Sequence, residues 1–101
     1  GDEIIIKLVI INQKLIDFGY QGKFCIYCQA TASILSNKLV NYETEKIKKL
    51  CDYAYTYFNE NQKNLRNEWK FLSKLLSQKN ESRQQCILLP FKALKKIVSK
   101  M

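Results

Sequence analysis

The chain has 101 residues, of which 47% are hydrophobic and 26% charged, with a formal net charge of +8. This length carries one domain with one core, and the composition excludes a disordered chain. No apolar run nears the roughly 18–20 residues needed to cross a bilayer, and no signal-peptide layout is present, so a cytoplasmic protein without a membrane partner is expected.

Ile4 to Ile11 is β-branched and reads as a strand. Asn12-Gln13 is turn-like, and Lys14 to Gly22 alternates loosely as a second strand. Together they predict a β-hairpin, which needs a helical layer or an upstream strand to be stable. A helix is expected from Gln29 to Leu39 or Val40, with Ala30, Ile34 and Leu35 or Leu39 inward. Thr44 reads as the N-cap of a second helix whose stripe is Ile47, Leu50, Cys51, Ala54 and Phe58.

Asn59 to Asn64 is a polar linker. Leu65, Trp69, Leu72 and Leu76 follow an amphipathic pattern and predict a third helix. Gln78 to Gln85 is polar and loop-like. Proline is tolerated only near a helix start, so Pro90 predicts a last helix beginning near Leu88 to Pro90, with Cys86 in the turn before it. The expected fold class is α+β, a small antiparallel sheet covered on one face by about four helices. The sheet is the hairpin plus a possible missing N-terminal strand. Residues 1–101 form a single domain, expected to lack its N-terminal segment.

The basic charge suggests nucleic acid. However, Arg66 and Arg83 are the only arginines, base readout and phosphate forks lean on arginine, and the lysines are spread along the chain. Nucleic acid is therefore not expected as a partner, and an acidic protein fits the surface equally well.

The sequence has four cysteines, Cys25, Cys28, Cys51 and Cys86, and no histidine. Histidine-based acid–base catalysis and a Cys–His dyad are excluded. Without a secretion signal the cysteines read as metal or redox chemistry. Cys51 lies on an apolar stripe and reads as a core residue. Cys25 and Cys28 form a C-x-x-C, either half a zinc site or a redox pair. A four-thiolate zinc site wants a second such pair, and there is none.

A carboxylate and two thiolates, Asp2, Cys25 and Cys86, drawn from three loops, would suit a soft metal. Asp2 reads equally as a solvated terminal residue. Arg83, three residues before Cys86, either supports that thiol and an anion or is a solvated loop residue.

Three segments resemble the iron–sulfur cluster scaffold family of the IscU and NifU amino-terminal type, closest to its SufU-like branch. Gly1-Asp2 is similar to the end of the family's Cys-Gly-Asp motif. Gly22 to Ser33 resembles its Gly-x-x-Cys-x-x-Ser-Gln-Ala-Ser-Ala-Ser segment. Arg83 to Leu94 resembles its Arg-x-x-Cys-x-x-Leu-Pro-Trp-x-x-Leu ending.

The resemblance implies a non-enzymatic scaffold that binds zinc or iron and a transient iron–sulfur cluster. It also implies sulfur received as persulfide from a pyridoxal-phosphate cysteine desulfurase and passed to iron–sulfur acceptor proteins. On the matching positions Asp2, Cys25 and Cys86 would be ligands and Arg83 a supporting residue. The long spacer from Asn59 to Ser82, and Gln85 where the IscU branch has histidine, point to the SufU-like branch. The first family cysteine would lie before Gly1. Cys28 stands where the family has serine, so it is a candidate substitute ligand, a resolving thiol or a packed residue. The alternative to a scaffold is a small basic nucleic-acid- or protein-binding module with structural cysteines.

Overall fold

The computed structural model describes residues 3–59 and 67–100. Strands β1 (Glu3–Ile11) and β2 (Lys14–Lys23) form an antiparallel hairpin. Its two turn residues, Asn12 and Gln13, both have positive φ, 51° and 64°. That backbone matches the twist of the flanking strands. Ile4, Ile6, Leu8 and Ile10 turn toward the helices, while Ile5, Lys7, Val9 and Ile11 turn outward. On β2 the inward set is Leu15, Phe18 and Tyr20. It changes from odd to even positions because the register slips opposite Val9 and Ile10.

Three α-helices follow: α1 (Ile26–Lys38), α2 (Thr44–Asn59) and α3 (Gln84–Ser99). The expected α+β class holds, with a two-stranded sheet among the described residues. Helix α1 starts three residues earlier than expected, so Cys28 lies inside it. Its buried face is Cys28, Thr31, Ala32 and Leu35, continued by Leu39. Ala30 and Ile34 are only half-buried. The α2 stripe of Ile47, Leu50, Cys51, Ala54 and Phe58 is buried as the spacing predicts. Thr44 is the first residue of α2, not its cap.

The expected third α-helix gives way to a 3₁₀ turn at Asn67–Leu72, and the stretch expected as loop contains a second 3₁₀ turn, Gln78–Arg83. Leu65 lies outside the described residues. Trp69 breaks helical geometry at φ −117° and ψ 21°, but its ring still stacks on Tyr53 of α2 at 4.7 Å. The Asn80 amide donates to the carbonyls of Lys74 and Leu75, and the Ser77 hydroxyl accepts from the Lys79 N–H. These side-chain bonds stand in for an α ladder. Apolar spacing survives, since Trp69, Leu72, Leu75 and Leu76 are all buried.

Helix α3 packs against β1, α1 and α2. It buries Ile87, Leu88, Phe91, Leu94 and Val98. It begins at Gln84, well before Pro90, so Cys86 sits in its first turn and not in the preceding loop. At the far end of the hairpin, the loop between α1 and α2 is tied down. Leu15 N–H donates to the Tyr42 carbonyl, and Thr44 N–H to the Gln13 carbonyl, both at 2.9 Å.

The end of β2 determines how the chain enters α1. Gly22 has φ +142°, a conformation L side chains rarely adopt. A Cβ there would lie 2.2 Å from the Glu3 carbonyl oxygen on the paired strand. Gly22→Ala is therefore expected to cost about 2 kcal/mol or more. A thermal melt reads this as a clear drop in Tm, and an unchanged Tm would refute the constraint.

Candidate functional site

Two helix starts meet at one end of the molecule. Beyond Gly22, Phe24 packs its ring 6.1 Å from that of Tyr20, which in turn lies 6.5 Å from Phe18. This aromatic run carries the order of the sheet into the turn. Cys25 follows as the N-cap of α1, at φ −73° and ψ 171°. Its carbonyl accepts the first helical bond, from Gln29 N–H at 3.0 Å. Cys86 occupies the third position of α3, whose N-cap is Arg83.

The guanidinium of Arg83 lies 5.6 Å from the centre of the Tyr27 ring. This contact joins the first turn of α1 to the start of α3, because Tyr27 is two residues past Cys25 and Arg83 three before Cys86. Arg83, expected as a supporting residue, lies over Tyr27, a residue the sequence reading overlooked. Neither helix has an acidic residue in its first turn. The positive end of each helix dipole is therefore not neutralised from within, and both starts favour negative charge.

Cys25 and Cys86 are half-buried, while Cys28 and Cys51 are buried. A shallow depression of about 260 Å³ beside Cys86 is lined by Gln85, Leu89 and Lys92. Leu89 and Lys92 follow Gln85 at helical spacing, a signal present in the sequence but masked by the later helix start expected there. A wider groove of about 1090 Å³ runs between β1 and α3, but neither Cys25 nor Cys86 lines it. It shares Leu89 and Lys92 with the depression beside Cys86.

The soft thiols of Cys25 and Cys86 suit zinc or iron. Asp2, the expected carboxylate ligand, lies outside the described residues. Among the described residues no three His, Cys, Asp or Glu side chains form a metal-holding group. Cys28, with 0% exposure, is thus not drawn together with Cys25 and Cys86 into a three-donor set.

No protein-family model and no curated protein matches the sequence. Solved structures do match it. A nitrogen-fixing NifU-like protein (N-terminal) from Brucella abortus superposes with a TM-score of 0.86 at 18% identity, covering 99% of this chain and 70% of that one. A protein assigned as an iron–sulfur cluster assembly scaffold of the SUF system, from Fervidobacterium islandicum AW-1, gives 0.81 at 18% identity, covering 95% and 71%. A third, named only as hypothetical, gives 0.80 at 21%, covering 98% and 74%. This chain has the fold of NifU-like and SufU scaffolds. No described helix is long and apolar enough to cross a membrane.

Cys51 contrasts with the site thiols. Burial first, then the neighbouring Asp52, pushes its pKa from 9.0 up to about 12, with Lys95 opposing. The unfolded thiol sheds its proton near pH 9 while the folded one keeps it, so stability falls as pH rises from about 9 to 12. Cys51→Ala is expected to flatten that part of the stability–pH curve, as measured by urea melts. In the folded wild type at pH 8, iodoacetamide should label Cys25 and Cys86 and spare Cys51. Prompt labelling of Cys51 would contradict its placement.

Proposed function

We propose that this chain is a sulfur acceptor and scaffold for iron–sulfur cluster assembly. The observation that carries the reading is the placement of Cys25 and Cys86 at two helix starts joined by Arg83 and Tyr27, on a fold shared with a NifU-like protein and an iron–sulfur cluster assembly scaffold of the SUF system. Half-buried thiols suit a protein that must exchange sulfur with a partner.

The chemistry is thiol exchange. A thiolate of this chain attacks the outer sulfur of a persulfide on a cysteine desulfurase. The S–S bond breaks, the partner's cysteine leaves as thiolate, and the persulfide is now on this chain. Arg83 and the helix starts stabilise the negative charge that accumulates on sulfur. Lys92 beside Cys86 offers a cation to an acidic partner surface. No enzymatic substrate pocket is required, since the partner supplies the activated sulfur.

Zinc or iron would be held by Asp2, Cys25 and Cys86, and when bound it would keep those sulfurs in the ionised form. A transient cluster is the cargo, and acceptor proteins take it or the sulfur onward. The setting is the cytoplasm.

The test is to purify the full chain without chelator and measure zinc, iron and acid-labile sulfide. Cys86→Ser should lose bound metal by more than the 10–100-fold typical of a residue that only supports a ligand, and should cease to stimulate a desulfurase. Cys51→Ser should keep both activities and lose some stability. Equal effects of the two variants would refute the assignment, as would a metal-free protein whose melting ignores EDTA.

A further inference from the structure

We propose that Cys28 is a resolving thiol for Cys25, which discharges a Cys25 persulfide as hydrosulfide by closing a Cys25–Cys28 disulfide. The inference deepens the sulfur-acceptor reading and rests on it for the origin of the persulfide.

The geometry comes from the helix start. Cys25 is the N-cap of α1 and Cys28 its third helical residue. The Gln29 N–H bond to the Cys25 carbonyl, at 3.0 Å, already places Cys25 on the helical path. Residues three apart on such a path have Cα atoms about 5 Å apart. That lies within the roughly 4.4–6.8 Å that a disulfide spans. Cys25 itself is extended, at ψ 171°, so it lies where the strand-like backbone turns into the helix.

Burial separates the two roles. Cys25 is half-buried and open to a partner. Cys28 has 0% exposure, so a bulky persulfide donor reaches Cys25 first. A buried thiol one turn away then acts on its neighbour and on little else.

The step balances without an outside oxidant. The Cys28 thiolate attacks Cys25 Sγ, which carries the outer sulfur. The bond from Sγ to the outer sulfur breaks, and that sulfur leaves with the electron pair as hydrosulfide, which takes up the proton Cys28 has lost. The outer sulfur is reduced to the sulfide level, Cys28 Sγ is oxidised from thiolate to disulfide, and Cys25 Sγ, already at the disulfide level in the persulfide, is unchanged. A low-molecular-weight thiol restores the dithiol. The chain thereby gains a second output: free sulfide alongside transferred persulfide.

The experiment loads the full chain with glutathione persulfide, desalts it, and measures released hydrosulfide and the alkylated peptides by mass spectrometry. Wild type should release hydrosulfide and show a Cys25–Cys28 disulfide. Cys28→Ser and Cys28→Ala should retain the persulfide on Cys25 about tenfold longer or more. Decay as fast as wild type in either folded variant overturns the proposal, as does a wild-type disulfide joining any other pair. The wild-type map decides the matter if neither variant folds.

A parallel loading from a cysteine desulfurase separates the two readings. If the desulfurase delivers no sulfur but glutathione persulfide closes the disulfide, the acceptor function fails and the resolving pair stands. If sulfur arrives and no disulfide forms, the function stands and the pair fails.

Discussion

The burial of α3 is the constraint on which the rest of the structure depends. Its inner face, Ile87, Leu88, Phe91, Leu94 and Val98, is where β1, α1 and α2 converge. Each of these side chains contributes on the order of 1.5–3 kcal/mol by leaving water. Cys86 rides on the first turn of this helix, so its position is set by core packing and not by a loop. The same helix carries Gln85, Leu89 and Lys92 on its solvent side. Core and site are two faces of one helix.

The second thiol is positioned by a different device. The sheet ends at a left-handed glycine against the Glu3 carbonyl, and Tyr20 and Phe24 carry packing across the turn. Cys25 is then the residue at which an extended backbone becomes a helix. A strand end and a helix start thus converge on one side chain. The Arg83–Tyr27 contact closes the arrangement by setting the α3 cap over the α1 turn. A cation over an aromatic face contributes about 0.5–2 kcal/mol, a modest amount, but it acts between two elements that their own cores already hold close.

How much of this was legible in the sequence follows from which physical signal each stretch carries. The hairpin was legible because β-branched alternation bounded by a turn has one good solution. The α2 stripe was legible because Ile47, Leu50, Cys51, Ala54 and Phe58 repeat at the helical period. The start of α3 was misplaced because Pro90 is a local signal, and tertiary packing overrode it. Pro90 has no N–H to give the carbonyl four residues back, that of Cys86, and this ordinarily marks a helix start. Here Ile87 and Leu88 before it, and Phe91 after it, are buried in the core, and their burial offsets a missing bond. Between Trp69 and Leu76 the apolar spacing correctly marked burial, but burial does not distinguish an α-helix from 3₁₀ turns held by Asn80 and Ser77. Cys25 and Cys86 were both expected beside helix starts and both lie at one, whereas the contact of Tyr27 with Arg83 was not legible, because it spans 56 positions of chain.

The four cysteines show why residue type alone does not assign chemistry. Cys51 is enclosed by the α2 core beside Asp52, and its thiol is held protonated. Cys86 is half-buried at a helix start that carries no acidic neighbour in its first turn. Cys25 is half-buried at another such start, on a hinge. Cys28 shares the burial of Cys51 and the helix turn of Cys25. Burial alone would make it inert, and adjacency alone would make it an equal partner in a C-x-x-C. The combination is narrower: a buried thiol one helical turn from the half-buried Cys25. On the proposed reading, the Cys25–Cys28 pair, and not either cysteine, is the unit that would set how long sulfur stays on this helix start.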